Sequence, residues 1–216
     1  LEADDDTQKL VDLSVKAFTE ETSRESPAPG GGTIAACMGA MGAALGTMVA
    51  NLSAHKRGWD ERWEEFSRWA EKGQALQSRL LRLIDDDTAA FNEIMAAFGM
   101  PKSNDEEKAL RSAAIQTATL HAAQVPLETM KTAFEAFALC KAMAENGNPN
   151  SISDAGVGAL AIRAAVRGAC MNVKINASSL KDRSLAEPLI AEADRIAEEA
   201  DREEAAITSF INARLV

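Results

Sequence analysis

The sequence predicts an all-α protein, an elongated up-and-down bundle of five to seven long helices in a single domain spanning residues 1–216. Three observations predict it. Apolar residues recur at helical rather than alternating spacing along most of the chain. Hydrophobic residues make up 46% of the sequence, but aromatics only 5%, with no Tyr and abundant Ala. That composition suits helices packed through small side chains, not sheets rich in β-branched and aromatic residues. Turn signals are short and far apart, as in a bundle of antiparallel neighbours.

Each element follows from its own pattern. Thr7 to Glu25 is amphipathic, with Leu10, Leu13, Val15, Ala17 and Phe18 roughly on one face. Ser26-Pro27-Ala28-Pro29 ends it, because Pro removes donors and holds the preceding residue extended. Gly30–Gly32 leads into a second helix, Thr33 to Ser53, which carries Gly39, Gly42 and Gly46. Glycine costs up to ~1 kcal/mol inside a helix, so these positions predict a close helix neighbour. His55-Lys56-Arg57-Gly58 reads as a polar turn, and Asp60 as the cap of a helix from Glu61 to Phe98. That helix is on the order of 55 Å long, with a kink site at Gly73.

Gly99-Met100-Pro101 stops it. Ser103 or Asn104 caps the next helix, whose first-turn acids Asp105, Glu106 and Glu107 complement its positive end. That helix reaches Gln124, where Pro126 predicts a kink or break, and resumes to Ala144. After the turn Asn146–Asn150, helix runs from Ser153 to Ala177, and a charged amphipathic helix from Ser184 to Leu215.

The net charge of −10 argues against a nucleic-acid or anionic-membrane surface. The acids concentrate in Asp4–Asp6 and Glu187–Glu204, which read as solvated faces. Cys37, Cys140 and Cys170 are odd in number, far apart and in apolar helical contexts, so they read as reduced core thiols of a cytoplasmic protein. The acidic start, LEADDDTQKL, lacks the basic-then-apolar order of a secretory signal. Ile34–Ala50 is uncharged, but it is short for a span and rich in Ala and Gly, so a buried central helix is expected.

Four features carry chemistry. Gly30-Gly31-Gly32-Thr33-Ile34-Ala35 matches a dinucleotide fingerprint in letters, but a charged helix precedes it and no βαβ unit follows. Either it is a flexible helix start, or it offers backbone N–H groups and a positive dipole end to an anion or polar heterocycle. Asp85, Asp86 and Asp87 point about 100° apart on a helix. One facing the core has a raised pKa and can shuttle protons; alternatively two are solvated and the third bonds a neighbour. Asp154 is either a first-turn acid or a group at the bundle mouth that binds a substrate N–H. Asn172 and Asn176 share a helix face, with Lys174 pointing away, and are either a helix–helix hydrogen-bond pair or ligand contacts. His55 and His121 lack an i+3 or i+4 His or carboxylate partner, so no metal site is expected.

The motifs together resemble the cyclodeaminase domain of formimidoyltransferase-cyclodeaminases and their stand-alone methenyltetrahydrofolate cyclohydrolase-like relatives. The residues that carry this are Ser26 to Ala36, Met41-Gly42-Ala43-Ala44-Leu45-Gly46-Thr47-Met48-Val49, Asp85-x-Asp87-x-x-Ala90-Phe91, Pro101-Lys102, Val125-Pro126-Leu127, Gly147-Asn148, Ser153-Asp154 and Asn172-Val173-x-Ile175-Asn176. They occur in the family's order from roughly residue 10 to 215.

The resemblance implies a homodimeric helical bundle with folate, polyglutamylated in one form, bound in a cleft near the subunit interface. It implies no cofactor beyond the tetrahydrofolate substrate, and a formimidoyltransferase domain or protein as an optional partner. The reaction is conversion of 5-formimidoyltetrahydrofolate to 5,10-methenyltetrahydrofolate and ammonia. The alternative interconverts 5,10-methenyl- and 10-formyltetrahydrofolate. On this reading Asp87 is the first candidate for acid–base work and Asp154 the second, orienting the pterin. Asn172 and Asn176 satisfy pterin groups. Gly30, Gly31, Gly32, Thr33, Lys102, Lys56 and Arg57 meet the substrate, the cations at its glutamate tail. Residues 1–6 are an inter-domain linker or a chain end. A structural or adaptor bundle is the non-enzyme alternative, and it predicts that these residues are scattered.

Overall fold

The computed structural model describes residues 9–26 and 28–215. The acidic leader, the linker expected at 1–6 and Pro27 lie outside the described residues. Six α-helices follow in order: α1 (Val15–Thr22), α2 (Gly31–Ala54), α3 (Trp63–Gly99), α4 (Asp105–Asn146), α5 (Ile152–Ser178) and α6 (Arg183–Asn212). Short 3-10 turns at Leu10–Asp12, Asp60–Arg62 and Pro149–Ser151 join them, and no strand occurs among the described residues.

Helices α2 to α5 form an antiparallel four-helix core, and α6 lies in the groove between α4 and α5. Glycines set the closeness of this core, as expected. A Cβ at Gly42 would come within 2.8 Å of the Gly158 carbonyl oxygen on α5 and 2.7 Å of Ile162. One at Gly46 would come within 2.8 Å of Leu139 on α4. Phe66, Leu80, Met130, Phe137 and Ile162 fill the centre. Helix α2 is long and apolar enough to cross a membrane by composition, but it lies mostly inside this bundle.

Four local expectations change. The N-terminal helix is shorter than Thr7–Glu25: Ser14 accepts a hydrogen bond from the Ala17 N–H and starts α1, while the Leu10 N–H donates to Asp85 at 3.1 Å. Helix α3 starts at Trp63 after the 3-10 turn, rather than on an Asp60 cap, and runs unbroken through Gly73. That glycine makes room for Thr47 and Leu139. Helix α4 is continuous through Pro126. Proline leaves the carbonyl four residues back without its helical donor, and here Asn176 on α5 donates to that Ala122 oxygen at 2.7 Å.

The acids of α6 are more than a solvated face. Glu192 pairs with Lys131, Asp194 with Lys174, and Asp201 with Arg163 and Arg167. The pairs are largely exposed, so each is worth ~0–1 kcal/mol and serves mainly to fix how α6 docks. Elsewhere the reading holds: Asn104 caps α4 through the Glu107 N–H at 2.8 Å. Cys140 and Cys170 are buried free thiols, burial pushing Cys140 up to about 12, whereas Cys37 is only half-buried rather than in the core.

Candidate active site

Helix α2 starts partway along the bundle, and the space beyond its first turn is walled by α3, α4 and α5. That space is a pocket of about 230 Å³ lined by Gly30–Thr33, Asp87, Thr88, Phe91, Ile94, Ala122, Asn172 and Asn176, with Ala28 at its edge. The glycines create it. A Cβ at Gly32 would collide with the Asp87 carboxylate, and one at Gly31 would come within 3.3 Å of the Asn172 amide. A side chain at either position would fill the floor.

The three consecutive aspartates divide their work as helical geometry requires. Asp85 faces the N-terminal segment and accepts from Leu10. Asp86 is exposed on the outer groove beside His121, which itself bonds Glu93 at 2.8 Å. Asp87 points into the pocket, where the Thr33 hydroxyl donates to it at 2.8 Å. Thr33 in turn accepts from the Gly30 N–H at 3.3 Å, so one hydroxyl ties the glycine turn to the carboxylate.

Burial pushes the Asp87 carboxyl above the usual carboxylate range, and the hydroxyl and backbone N–H of Thr33 oppose that shift without cancelling it. A carboxylate at a helix N-terminus, partly desolvated and held by two donors, can accept a proton and return it.

The two asparagines both line the pocket. Asn172 donates to the Gly168 carbonyl at 3.0 Å, and Asn176 to Ala122. Asn176 is therefore both a helix–helix link and a pocket wall. Lys174 turns away to Asp194. Thr88 was not foreseen. Its hydroxyl oxygen is buried at the pocket without a hydrogen-bond partner, the state expected of a group that a ligand would satisfy. Asp87, Phe91 and Ile94 fall at i, i+4 and i+7 of α3, a spacing by which the wall could have been read from the sequence.

The remaining expected residues do not join this pocket within the chain. Asp154 sits in the first turn of α5, about 27 Å along the helix from Asn172. Lys56 and Arg57 follow the far end of α2, where Lys56 lies 4.0 Å over the Trp59 ring. Lys102 lies beyond the α3 C-terminus, in an outer groove with Lys108, Arg111 and Lys181. Among the described residues, no three His, Cys, Asp or Glu side chains cluster as metal ligands would.

A family profile described as formiminotransferase-cyclodeaminase matches residues 14–195. The chain belongs to the formiminotransferase-cyclodeaminase family.

The matched residues include the whole pocket. The chain is 42% identical over 187 residues to a methenyltetrahydrofolate cyclohydrolase of Methylorubrum extorquens, covering 87% of this chain and 90% of that protein. It is 32% identical to the formimidoyltransferase-cyclodeaminase of Rattus norvegicus, covering 96% of this chain but only 38% of that longer protein. Among solved structures, a formiminotetrahydrofolate cyclodeaminase from Thermotoga maritima superposes with a TM-score of 0.84 at 26% identity, covering 96% of this chain and all of that one. Each of these names is that of an enzyme, and the all-helical architecture is shared with the solved neighbour.

Proposed function

We propose that the chain is a folate one-carbon enzyme that interconverts 5,10-methenyltetrahydrofolate and 10-formyltetrahydrofolate, with Asp87 as the acid–base group. The observation that carries this reading is the Asp87 carboxylate, raised in pKa and clamped by Thr33 in a pocket lined by Gly30–Gly32. The extent and identity of the match to the Methylorubrum protein favour this reaction over deamination.

In the proposed cycle the pocket holds the pterin edge between Gly31, Gly32, Asn172 and the unpartnered Thr88 hydroxyl. Asp87 takes a proton from water as the water oxygen bonds the methenyl carbon. The tetrahedral carbon then bridges N5 and N10. Asp87 returns a proton to N5, the bond from carbon to N5 breaks, and the formyl group stays on N10 with one net proton released. Most of the acceleration on this view is positioning, with proton transfer adding ~10²–10⁴-fold.

The Thermotoga neighbour supports a second reading on the same pocket. There N10 attacks the carbon of the protonated formimidoyl group, whose C=N bond becomes a C–NH2 bond; Asp87 carries the N10 proton to that amine, and the C–N bond breaks to release ammonia and leave the methenyl cation. Following the methenyl absorption band separates the two. Enzyme-dependent decay of added methenyltetrahydrofolate supports the cyclohydrolase, growth of the band from 5-formimidoyltetrahydrofolate with ammonia release supports the cyclodeaminase, and neither change removes both. The reduced thiols suit a cytoplasmic setting for either. A homodimer, a tail-binding role for Lys102 and a transferase partner belong to the same proposal.

A further inference from the structure

The pocket at the start of α2, about 230 Å³, is smaller than the ~300–1,000 Å³ usual for a small-molecule site. It has room for a bicyclic heterocycle and little more. A folate continues from its pterin into an aryl ring, so the rest of such a ligand needs a further surface.

A second cavity, of about 640 Å³, lies between α1, α2 and α3. Phe18 on α1, Cys37, Met38 and Met41 on α2, and Leu81 and Ile84 on α3 form much of its wall. Among the described residues, no charged side chain lines it. The hydroxyls in its rim, those of Thr19, Thr22 and Ser23, donate to carbonyls of α1 itself. Such a lining suits an uncharged group, and two methionines beside a phenylalanine favour an aromatic ring.

The two cavities adjoin along α3. Leu81, Ile84, Thr88 and Phe91 fall at i, i+3, i+7 and i+10, within about 80° of one another around the helix. The first two line the apolar cavity and the last two line the pocket. On α2 the border falls between Thr33, in the pocket, and Ile34, in the cavity. Asp87 and Thr88 stand at this junction, and the buried Thr88 hydroxyl there has no partner. In the proposed reaction the reacting carbon bridges N5 of the heterocycle and N10, which carries the aryl ring. That carbon marks the border between heterocycle and ring, as Asp87 marks the border between pocket and cavity.

We propose that the apolar cavity beneath α1 is the subsite for the aryl ring of the substrate, with Phe18, Met38 and Ile84 packed against it. The identity of the ring rests on the proposed folate reaction. The subsite makes α1 part of the binding machinery. That helix buries no residue of its own, and a ring beneath it supplies the packing it lacks. The bond from the Leu10 N–H to Asp85 then pins the segment beside the site.

Cys37 reports occupancy of the cavity without any activity. The parent chain is alkylated with N-ethylmaleimide under nitrogen, and modification is followed residue by residue by mass spectrometry. Cys140 and Cys170, both buried, are the internal references. The ligands are 10-formyltetrahydrofolate and 6-methyltetrahydropterin, the same heterocycle without the aryl ring, with binding of each measured by calorimetry. At about ten times its Kd the folate should slow Cys37 alkylation about tenfold, while the pterin leaves it unchanged. Bound folate that leaves Cys37 as reactive as in the free chain, or a pterin that protects it equally, would overturn the assignment. A folate that does not bind at all would instead remove the folate reading, and the subsite with it.

Cys37→Trp fills the cavity from the α2 side. It should weaken folate binding by roughly 10–100-fold, the worth of a buried ring, with pterin binding as in the parent. Retained pterin binding also shows that the variant folds. A folded variant with parental affinity for the folate would overturn the subsite.

Discussion

Asn176 donates from its side-chain nitrogen to the Ala122 carbonyl oxygen, the acceptor in α4 that Pro126 leaves without a helical donor. Both Ala122 and Asn176 line the pocket, so one hydrogen bond keeps α4 continuous and holds its wall against α5.

This relationship is testable by a double-mutant cycle. Asn176→Leu strands the Ala122 oxygen and should cost roughly 1–3 kcal/mol. Adding Pro126→Ala restores an N–H four residues on, so the second change should cost less in the Asn176→Leu background than in the parent. Denaturant midpoints of the four proteins measure the coupling; strictly additive costs would contradict the assignment.

Gly32→Ala should abolish turnover by at least about 100-fold, since the added Cβ meets the Asp87 carboxylate and pushes it from its bond to Thr33. The protein should fold, with a loss of about 1–3 kcal/mol from overpacking. Steady-state rates and a thermal melt on one preparation separate the two effects.

Gly42→Leu should cost stability without touching the pocket. Its side chain has no room between Gly158 and Ile162, so the melting temperature should fall by several degrees, about 2–4 °C per kcal/mol in a domain of this size.

The raised Asp87 carboxyl makes two pH predictions. The acidic limb of kcat/KM should lie above the usual carboxylate range, because the base must be ionised and burial resists that. Thr33→Val removes the hydroxyl donor that lowers it, so the limb should move further up. For stability the sign is opposite to that of an ion-paired acid. The folded state holds the proton more readily than the unfolded chain, so stability is lost as pH rises from about 4 through the folded value. Asp87→Asn should therefore melt above the parent at neutral pH, with the gap closing as pH falls toward ~4.

The helical architecture was legible because periodicity and turn residues are local. The pocket was legible in part: Gly30–Thr33, Asp87, Asn172 and Asn176 come together because each sits on a helix whose phase the sequence sets. Which aspartate turns inward depends on how α3 rotates against α2, and the Gly32–Asp87 approach settles that. That no break occurs at Pro126 is not legible in the sequence, because the donor that satisfies Ala122 lies 54 residues away on another helix. Thr88 is not legible in the sequence, because a threonine's missing partner is visible only once its surroundings are. Lys56 and Arg57 stand apart because they follow the far end of the helix that Gly30–Gly32 begins, about 36 Å away, a separation already implied by the helix bounds the sequence predicts. Asp154 and Lys102 stand apart because each lies at a helix end remote from the pocket.

On the proposed function, Asp87, held by Thr33 over the glycine turn, moves the proton in a folate one-carbon reaction. The most direct measurement is single-turnover decay of methenyltetrahydrofolate with excess enzyme, parent against Asp87→Asn, alongside ligand binding by each. The expected result is a loss of about 10²–10⁴-fold in the rate with binding retained. A variant as fast as the parent would contradict it.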